Sequence, residues 1–279
     1  MVTGGDGARR GGGFGYAVPM EPPPLTDPFD PAWLRPQWPA PAAVRAVCTT
    51  RAGGQSQAPF DRFNLGERVG DDPQHVAAHR RQLGAALGAR PVFLHQVHGF
   101  EVVAARADTP DGTQADGAQT RVRGLACTAQ VADCLPVLLC DRAGAQVAAL
   151  HAGWRGLAGS GGAGVVERGV AAMDAAPGEL LAWLGPCIGP RAFEVGDDVR
   201  QAFVAVDPAT AACFSALRPG KWLADLPALA RQRLQAAGVQ AIYGNDGSPV
   251  WCTVSQPARF FSFRRDGVCG RMAAAIALA

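Results

Sequence analysis

Lysine is nearly missing from this 279-residue chain: of its 26 basic side chains only Lys221 is a lysine. Schiff-base catalysis, or a phosphate loop of the P-loop kind, would have to rest on that one amine, and neither is expected. Histidine is scarce too, with five residues, which argues against a set of coppers held largely by imidazoles. No apolar stretch approaches the ~20 residues of a membrane span. The N-terminal residues lack the apolar core of a secretory signal, because Arg9-Arg10 is followed by Gly11-Gly12-Gly13 and then by prolines. A formal net charge of +2, with arginines scattered instead of clustered, excludes a nucleic-acid stripe. The eight cysteines contain no Cys-x-x-Cys pair and sit mostly in apolar runs, the pattern of buried thiols in a reducing compartment. These absences leave a soluble cytoplasmic protein with a small ligand. A monomer is favoured, although the sequence leaves the oligomeric state open.

What the chain has is apolar material and turn residues: 48% hydrophobic residues, 35 glycines and 22 prolines. That is enough for one large core. Residues 1–32, with Pro22-Pro23-Pro24, read as a flexible leader, and 33–279 as a single catalytic domain without repeat or linker. Val44 to Thr50 reads as a strand entering the turn Arg51-Ala52-Gly53-Gly54. Asp71 or Asp72 caps a helix carrying Val76, Leu83 and Leu87 and stopping near Gly88. Strands are expected at Pro91 to His98, Glu101 to Ala105, Leu125 to Val131, Pro136 to Cys140, Gln146 to His151 and Leu180 to Leu184. A helix is expected at Val165 to Met173, and another, capped by Asp225, carries Leu226, Leu229 and Leu234 to a stop at Gly238. Strands at 239–243 and 258–263 and a last helix at 271–278 complete an α/β pattern with a mixed sheet.

Three runs carry the chemistry: Gln96-Val97-His98-Gly99, Ala132-Asp133-Cys134-Leu135-Pro136 and His151-Ala152-Gly153-Trp154-Arg155-Gly156. Two imidazoles and a thiol bind zinc with one coordination position open, the arrangement that activates water or substrate. The candidate ligands His98, Cys134 and His151 lie 36 and 17 positions apart, so only the fold can assemble them. Singly, Cys134 also reads as a buried thiol, His98 as a turn histidine and His151 as a strand-end histidine. Asp133 is either a turn cap or a carboxylate that orients a histidine or shuttles a proton. His95 is an accessory group or simply packs. His75 and His79 are four apart on a helix without the glutamate of a His-Glu-x-x-His site and read as a solvated face. Gly159, Gly161 and Gly164 match G-x-G-x-x-G, but too far from the preceding strand for a dinucleotide site.

In order and spacing, these three runs resemble the signature of the YfiH-type, laccase-domain (polyphenol-oxidase-like) family. Thr49-Thr50-Arg51 with Gly53-Gly54, Asn64-Leu65-Gly66, Gly70-Asp71-Asp72, Gly185-Pro186-Cys187-Ile188-Gly189 and Phe261-Ser262-Phe263-Arg264-Arg265-Asp266 with Gly270-Arg271 extend the likeness over about residues 44–279. His79, where the family usually has Asn, and the glycine-rich run 159–164 depart from it. The resemblance implies a four-layer α/β/β/α fold and a mononuclear zinc on His98, Cys134 and His151. It further implies purine nucleoside chemistry: phosphorolysis of adenosine, inosine, guanosine and methylthioadenosine, with adenosine deamination beside it. Phosphate and purine nucleosides are then the partners. Arg155, on a glycine-rich turn into a helix, is the first candidate for phosphate. Arg51, Arg264 and Asn64 are further substrate-binding candidates.

Other functions are also open. A copper-dependent, laccase-like oxidase would use the same His₂Cys set, but the histidine count opposes several coppers. A cysteine-dependent amidase acting on cell-wall precursors would make Cys134 the nucleophile and a histidine its base. A metal-storage or partner-binding role predicts zinc without turnover. The usual deaminase signature of His-x-Glu with Pro-Cys-x-x-Cys is missing. The roles of Cys187 and Cys252 are left as buried structural thiols.

Overall fold

Side chains alternate across a strand, so strands apolar on both faces must be covered on both sides. A computed structural model describes residues 1–4 and 28–279 and shows what covers them. Its strands are β1 (Val44–Cys48), β2 (Arg90–Val92), β3 (Val102–Ala104), β4 (Gly117–Thr120), β5 (Leu125–Val131), β6 (Leu135–Asp141), β7 (Val147–Ala152), β8 (Leu180–Leu184), β9 (Glu194–Gly196), β10 (Phe214–Arg218), β11 (Lys221–Ala224), β12 (Ala241–Gly244) and β13 (Met272–Leu278). The helices are α1 (Pro73–Leu87), α2 (Trp154–Ala158), α3 (Val165–Ala171), α4 (Asp197–Val204), α5 (Leu226–Ala236) and α6 (Phe263–Asp266). A four-stranded sheet runs β1-β13-β5-β2 and a six-stranded sheet β12-β8-β6-β7-β4-β3, both mixed in strand direction. A small antiparallel sheet, β10-β11-β9, stands apart.

Three apolar layers follow from the alternation. Ala273, Ala275 and Ala277 of β13 meet Leu83, Ala86 and Leu87 of α1. The other face of β13, Ala274, Ile276 and Leu278, packs against Leu138, Cys140, Leu181 and Trp183 of the larger sheet. Leu135, Val137, Leu139, Leu150 and Ala182, on that sheet's far side, are covered by α3, α4 and α5 through Val166, Val170, Phe203, Leu229 and Leu234. The order is therefore helix, sheet, sheet, helices: the four-layer α/β/β/α arrangement. The expected leader, residues 1–32, lies mostly outside the described residues; Asp30 already holds the Trp33 amide at 3.0 Å, and Trp33 is buried.

Caps fall where expected. Asp72 accepts from the Gln74 amide and Gly88 closes α1 with φ 63°, while Asp225 accepts from Ala228 at the start of α5. The expected helix at 271–278 is instead β13, a central strand. Alanine favours helices, but here its small side chains let two neighbouring layers approach a strand buried along its whole length, and that packing overrides propensity. The expected strand at 258–263 is loop leading into α6, where the buried Ser262 hydroxyl accepts from the Arg265 amide. The strand expected over Pro91 to His98 ends at Val92. Beyond it the chain is held by side chains, the Asp111 carboxylate accepting from the Phe93 amide, and His98 takes a left-handed φ of 61° that no strand accommodates. The short β4 and α2, and the segment forming β9, α4, β10 and β11, are not among the expected elements, although Val199 and Phe203 recur at helical spacing in α4.

A candidate metal centre and its cavity

Three chain segments converge at one end of the larger sheet. The tight turn between β5 and β6 carries Asp133 and Cys134, β7 brings in His151, and the loop after β2 delivers His98. His98 (φ 61°) and Asp133 (φ 105°) are the two non-glycine residues with positive φ among those described, and both sit here. Strain of this kind persists only where surrounding contacts enforce it. One ligand atom from each of His98, Cys134 and His151 lies within 4.8 Å of the others, and it is the one such cluster among the described residues. His98 is exposed, Cys134 half-buried and His151 buried, so the set is closed behind and open in front.

The residue that enforces this geometry is Asp116, at 1% exposure. One of its carboxylate oxygens accepts from the His151 ring Nδ1 at 2.8 Å and from the His98 amide at 2.9 Å. The other accepts from the Gly99 amide at 2.7 Å and the Val97 amide at 3.2 Å. Its carbonyl takes the His151 amide at 2.7 Å. Burial alone would raise the Asp116 carboxyl, but these bonds, His151 foremost, hold it below the ordinary carboxylate range. With Nδ1 engaged by Asp116, His151 presents Nε2 to the cluster. Sequence reasoning offered Asp133 for such a role, with a turn cap as the alternative, and missed Asp116, whose only sequence signal is a lone acid in a Gly/Ala setting.

Electrostatics favour a ligating thiolate. Burial would raise the Cys134 thiol, but attraction to His151 and hydrogen bonds to both histidines pull it down to about 6. Burial would likewise lower His151, but the Cys134 charge and Asp116 raise it to about 9. Gly153 completes the cradle: a Cβ there would stand 3.0 Å from Cys134 Sγ and 3.1 Å from His98 Cδ2. At Gly156 it would meet the Gly99 carbonyl oxygen at 2.3 Å, which presses α2 onto the His98 loop. Donor type, number, spacing and the absent side chain at Gly153 fit a single thiophilic metal ion with an open position.

In front of the cluster lies a cavity of about 450 Å³, whose walls include Arg80, Phe93, His95, Gln96, Trp154, Arg155, Phe193, Phe263, Arg264 and Arg271. Arg155 and Arg264, the phosphate and substrate-binding candidates, both line this cavity. Arg155 lies 4.4 Å from the Trp154 ring centroid and Arg264 5.5 Å from that of Phe193. His95 lines the same wall.

The remaining candidates bond chiefly to the chain itself. Arg51 points elsewhere, its guanidinium spent on the Asp61 carbonyl, the Asp61 carboxylate and the Pro257 carbonyl. Asn64 is fully buried; its amide bonds Gly66 and Asp71 and accepts from the Arg271 amide, so it shapes the wall without reaching the cavity. Asp133 lines the cavity; its carboxylate accepts from the Thr253 hydroxyl and, at 2.6 Å, from the Arg264 amide, and is hydrogen-bonded to neither histidine. His79 is no solvated helix residue either. It is 2% exposed, donates from Nδ1 to the Asn64 carbonyl at 2.8 Å and accepts at Nε2 from the Gln55 amide at 3.0 Å. Cys187 and Cys252 are buried beside one another, Cys252 Sγ accepting from the Gly189 amide.

The family model described as multi-copper polyphenol oxidoreductase laccase matches residues 45–279. The chain belongs to that laccase-domain family. A family member from Pseudomonas aeruginosa named purine nucleoside phosphorylase is 52% identical over 246 residues, covering 88% of this chain and 98% of its own. The Escherichia coli relative, named purine nucleoside phosphorylase YfiH, is 49% identical over 244 residues, covering 86% and 96%. Among solved structures, a Neisseria meningitidis protein superposes with TM-score 0.84 at 46% identity, over 88% of this chain and 99% of that one. YlmD from Geobacillus stearothermophilus does so with TM-score 0.80 at 32% identity, over 88% and 96%. No helix among the described residues of this family member is long and apolar enough to cross a membrane.

Proposed function

We propose that this protein is a zinc-dependent purine nucleoside phosphorylase that also deaminates adenosine. The observation that carries the reading is the His98, Cys134 and His151 set, with its open side on a cavity walled by Arg155 and Arg264. Relatives about half identical along their length carry the phosphorylase name. Two nitrogens and one thiolate suit zinc; His98, Cys134 and His151 would hold the ion, which would supply Lewis acidity to the cavity.

In phosphorolysis a phosphate oxygen bonds to ribose C1′ while the bond from C1′ to the purine nitrogen breaks. The electron pair leaves with the base, which takes up a proton. The arginines are the groups that hold the phosphate: a guanidinium forks onto two of its oxygens. Asp116 keeps His98 and His151 in position while charge redistributes beside them. Adenosine, inosine, guanosine and methylthioadenosine are the expected substrates.

The test is the product profile of metal-quantified protein incubated with adenosine and inosine, with and without phosphate, beside Cys134→Ala and Arg155→Met. Free base and ribose 1-phosphate, formed only with phosphate and lost in Cys134→Ala, establish the phosphorylase. Arg155→Met is expected to raise the phosphate KM more than the nucleoside KM. Inosine from adenosine without phosphate establishes the deaminase. Absence of product overturns both.

One observation favours a second reading, the cysteine amidase: a thiol pulled down to about 6 beside an imidazole raised to about 9 is also the state of a nucleophile and its base. Copper in a laccase-like oxidase is less well supported. His79 is committed to backbone and His75 lies on α1, so too few imidazoles are left for several coppers.

A further inference from the structure

Phe263 is the only exposed Phe, Tyr or Trp side chain among the described residues, at 57% exposure, and it stands on the wall of the cavity in front of the His98, Cys134 and His151 cluster. A water-facing ring on a loose loop is ordinary; this one stands on backbone held by hydrogen bonds before and after it. Ser262 before it is fully buried and caps α6. The Arg264 amide after it bonds the carboxylate of Asp133, the neighbour of Cys134. The Arg265 guanidinium bonds the carbonyls of Thr253, Val254 and Phe260. The Arg271 guanidinium lies 5.9 Å from the ring centroid. The chain thus holds an apolar, flat face at a fixed place, one residue from a candidate phosphate ligand and tied through Asp133 to a metal ligand.

Resting on the phosphorylase reading, we infer that Phe263 is the stacking platform for the purine ring and sets the breadth of the substrate class. A phenyl face has no hydrogen-bond donors or acceptors. It recognises the area of an aromatic π-system and not the pattern on its edges. Adenine, hypoxanthine and guanine offer the same bicyclic face, so the platform treats their nucleosides alike. Pyrimidines offer a single ring and are held less well.

The experiment compares wild-type protein with Phe263→Leu and Phe263→Tyr, at equal zinc content. It reads KM and kcat for adenosine, inosine and guanosine with phosphate, and their dissociation constants by calorimetry without it. Phe263→Leu should raise KM and dissociation constant about tenfold for all three, the size of one base–aromatic stack. The kcat should stay within about twofold, and Phe263→Tyr should restore wild-type values because the face is retained. Wild-type protein should also bind adenosine at least about fivefold tighter than uridine. A leucine variant that binds like wild type, or a loss confined to one base, overturns the platform. Wild-type protein that binds the nucleosides without converting them overturns the phosphorylase reading and leaves the platform to be judged on the dissociation constants. Wild-type protein that does neither overturns both.

Discussion

Asp116 and His151 share two hydrogen bonds, carboxylate to ring Nδ1 at 2.8 Å and carbonyl to amide at 2.7 Å. The same carboxylate collects the amides of Val97, His98 and Gly99. One buried anion therefore fixes the ring of one metal ligand and the backbone of another. Asp116→Asn puts an N–H₂ where donors converge. Zinc affinity is expected to fall about 10- to 100-fold, with a loss of roughly 3 kcal/mol in unfolding free energy. Chelator competition and urea unfolding check this; an Asn variant with wild-type zinc affinity would sink the role given to Asp116.

Gly153 has φ −66° and ψ 158°, a conformation open to any residue, so Gly153→Ala costs little in the backbone. Its effect falls on the site, where the new Cβ would sit 3.0 Å from Cys134 Sγ and 3.1 Å from His98 Cδ2. The expected variant melts within a few degrees of wild type, retains substoichiometric zinc after dialysis and turns over poorly. Full zinc retention with full activity would show that the three ligands have slack there.

Much of this was legible in the sequence, for identifiable reasons. Cys134 and His151 sit at strand ends, where an apolar run stops and its register aims the last side chain. Asp72, Gly88 and Asp225 declare helix boundaries by local chemistry alone. Asp116 was not legible, because its work is done on residues about 17 to 35 positions away. Arg51 and Asn64 are loop residues rich in hydrogen-bonding groups, and no local pattern says that both spend them on the chain itself. The strand β13 failed on propensity, since nothing in Met272-Ala-Ala-Ala-Ile-Ala-Leu278 says that two layers will close on it.

His79 makes stability depend on pH. Its Nε2 accepts from Gln55, so the ring must be neutral, and burial lowers its pKa below 6.5. The unfolded chain takes up a proton at pH values where the folded one does not, so stability declines as pH falls from 6.5 toward the lowered folded value. The slope contributed is up to about 1.4 kcal/mol per pH unit. His79→Asn should be less stable at pH 7.5 but should lose less between pH 7.5 and 5.5. Urea unfolding at both pH values checks it; identical slopes in the two proteins would exclude His79 as the cause.

Removing the metal should unmask Cys134. With its pKa pulled down to about 6 by the two histidines, the free thiol is mostly thiolate at neutral pH. Cys48, Cys127 and Cys140 are pushed up to about 12 by burial, and Cys252, although lowered, is 5% exposed. Iodoacetamide should therefore modify chelator-treated protein at Cys134 first, with a rate that rises through a midpoint near pH 6, and should spare zinc-loaded protein by a factor of about 10 or more. Peptide mapping by mass spectrometry reads the site. The same experiment divides the two enzymatic readings, because a nucleophile must be free to attack in the active protein. Protection by stoichiometric zinc, with turnover intact, assigns Cys134 to the metal, whereas equal labelling of both forms with concurrent loss of activity makes the thiol itself the reactive group.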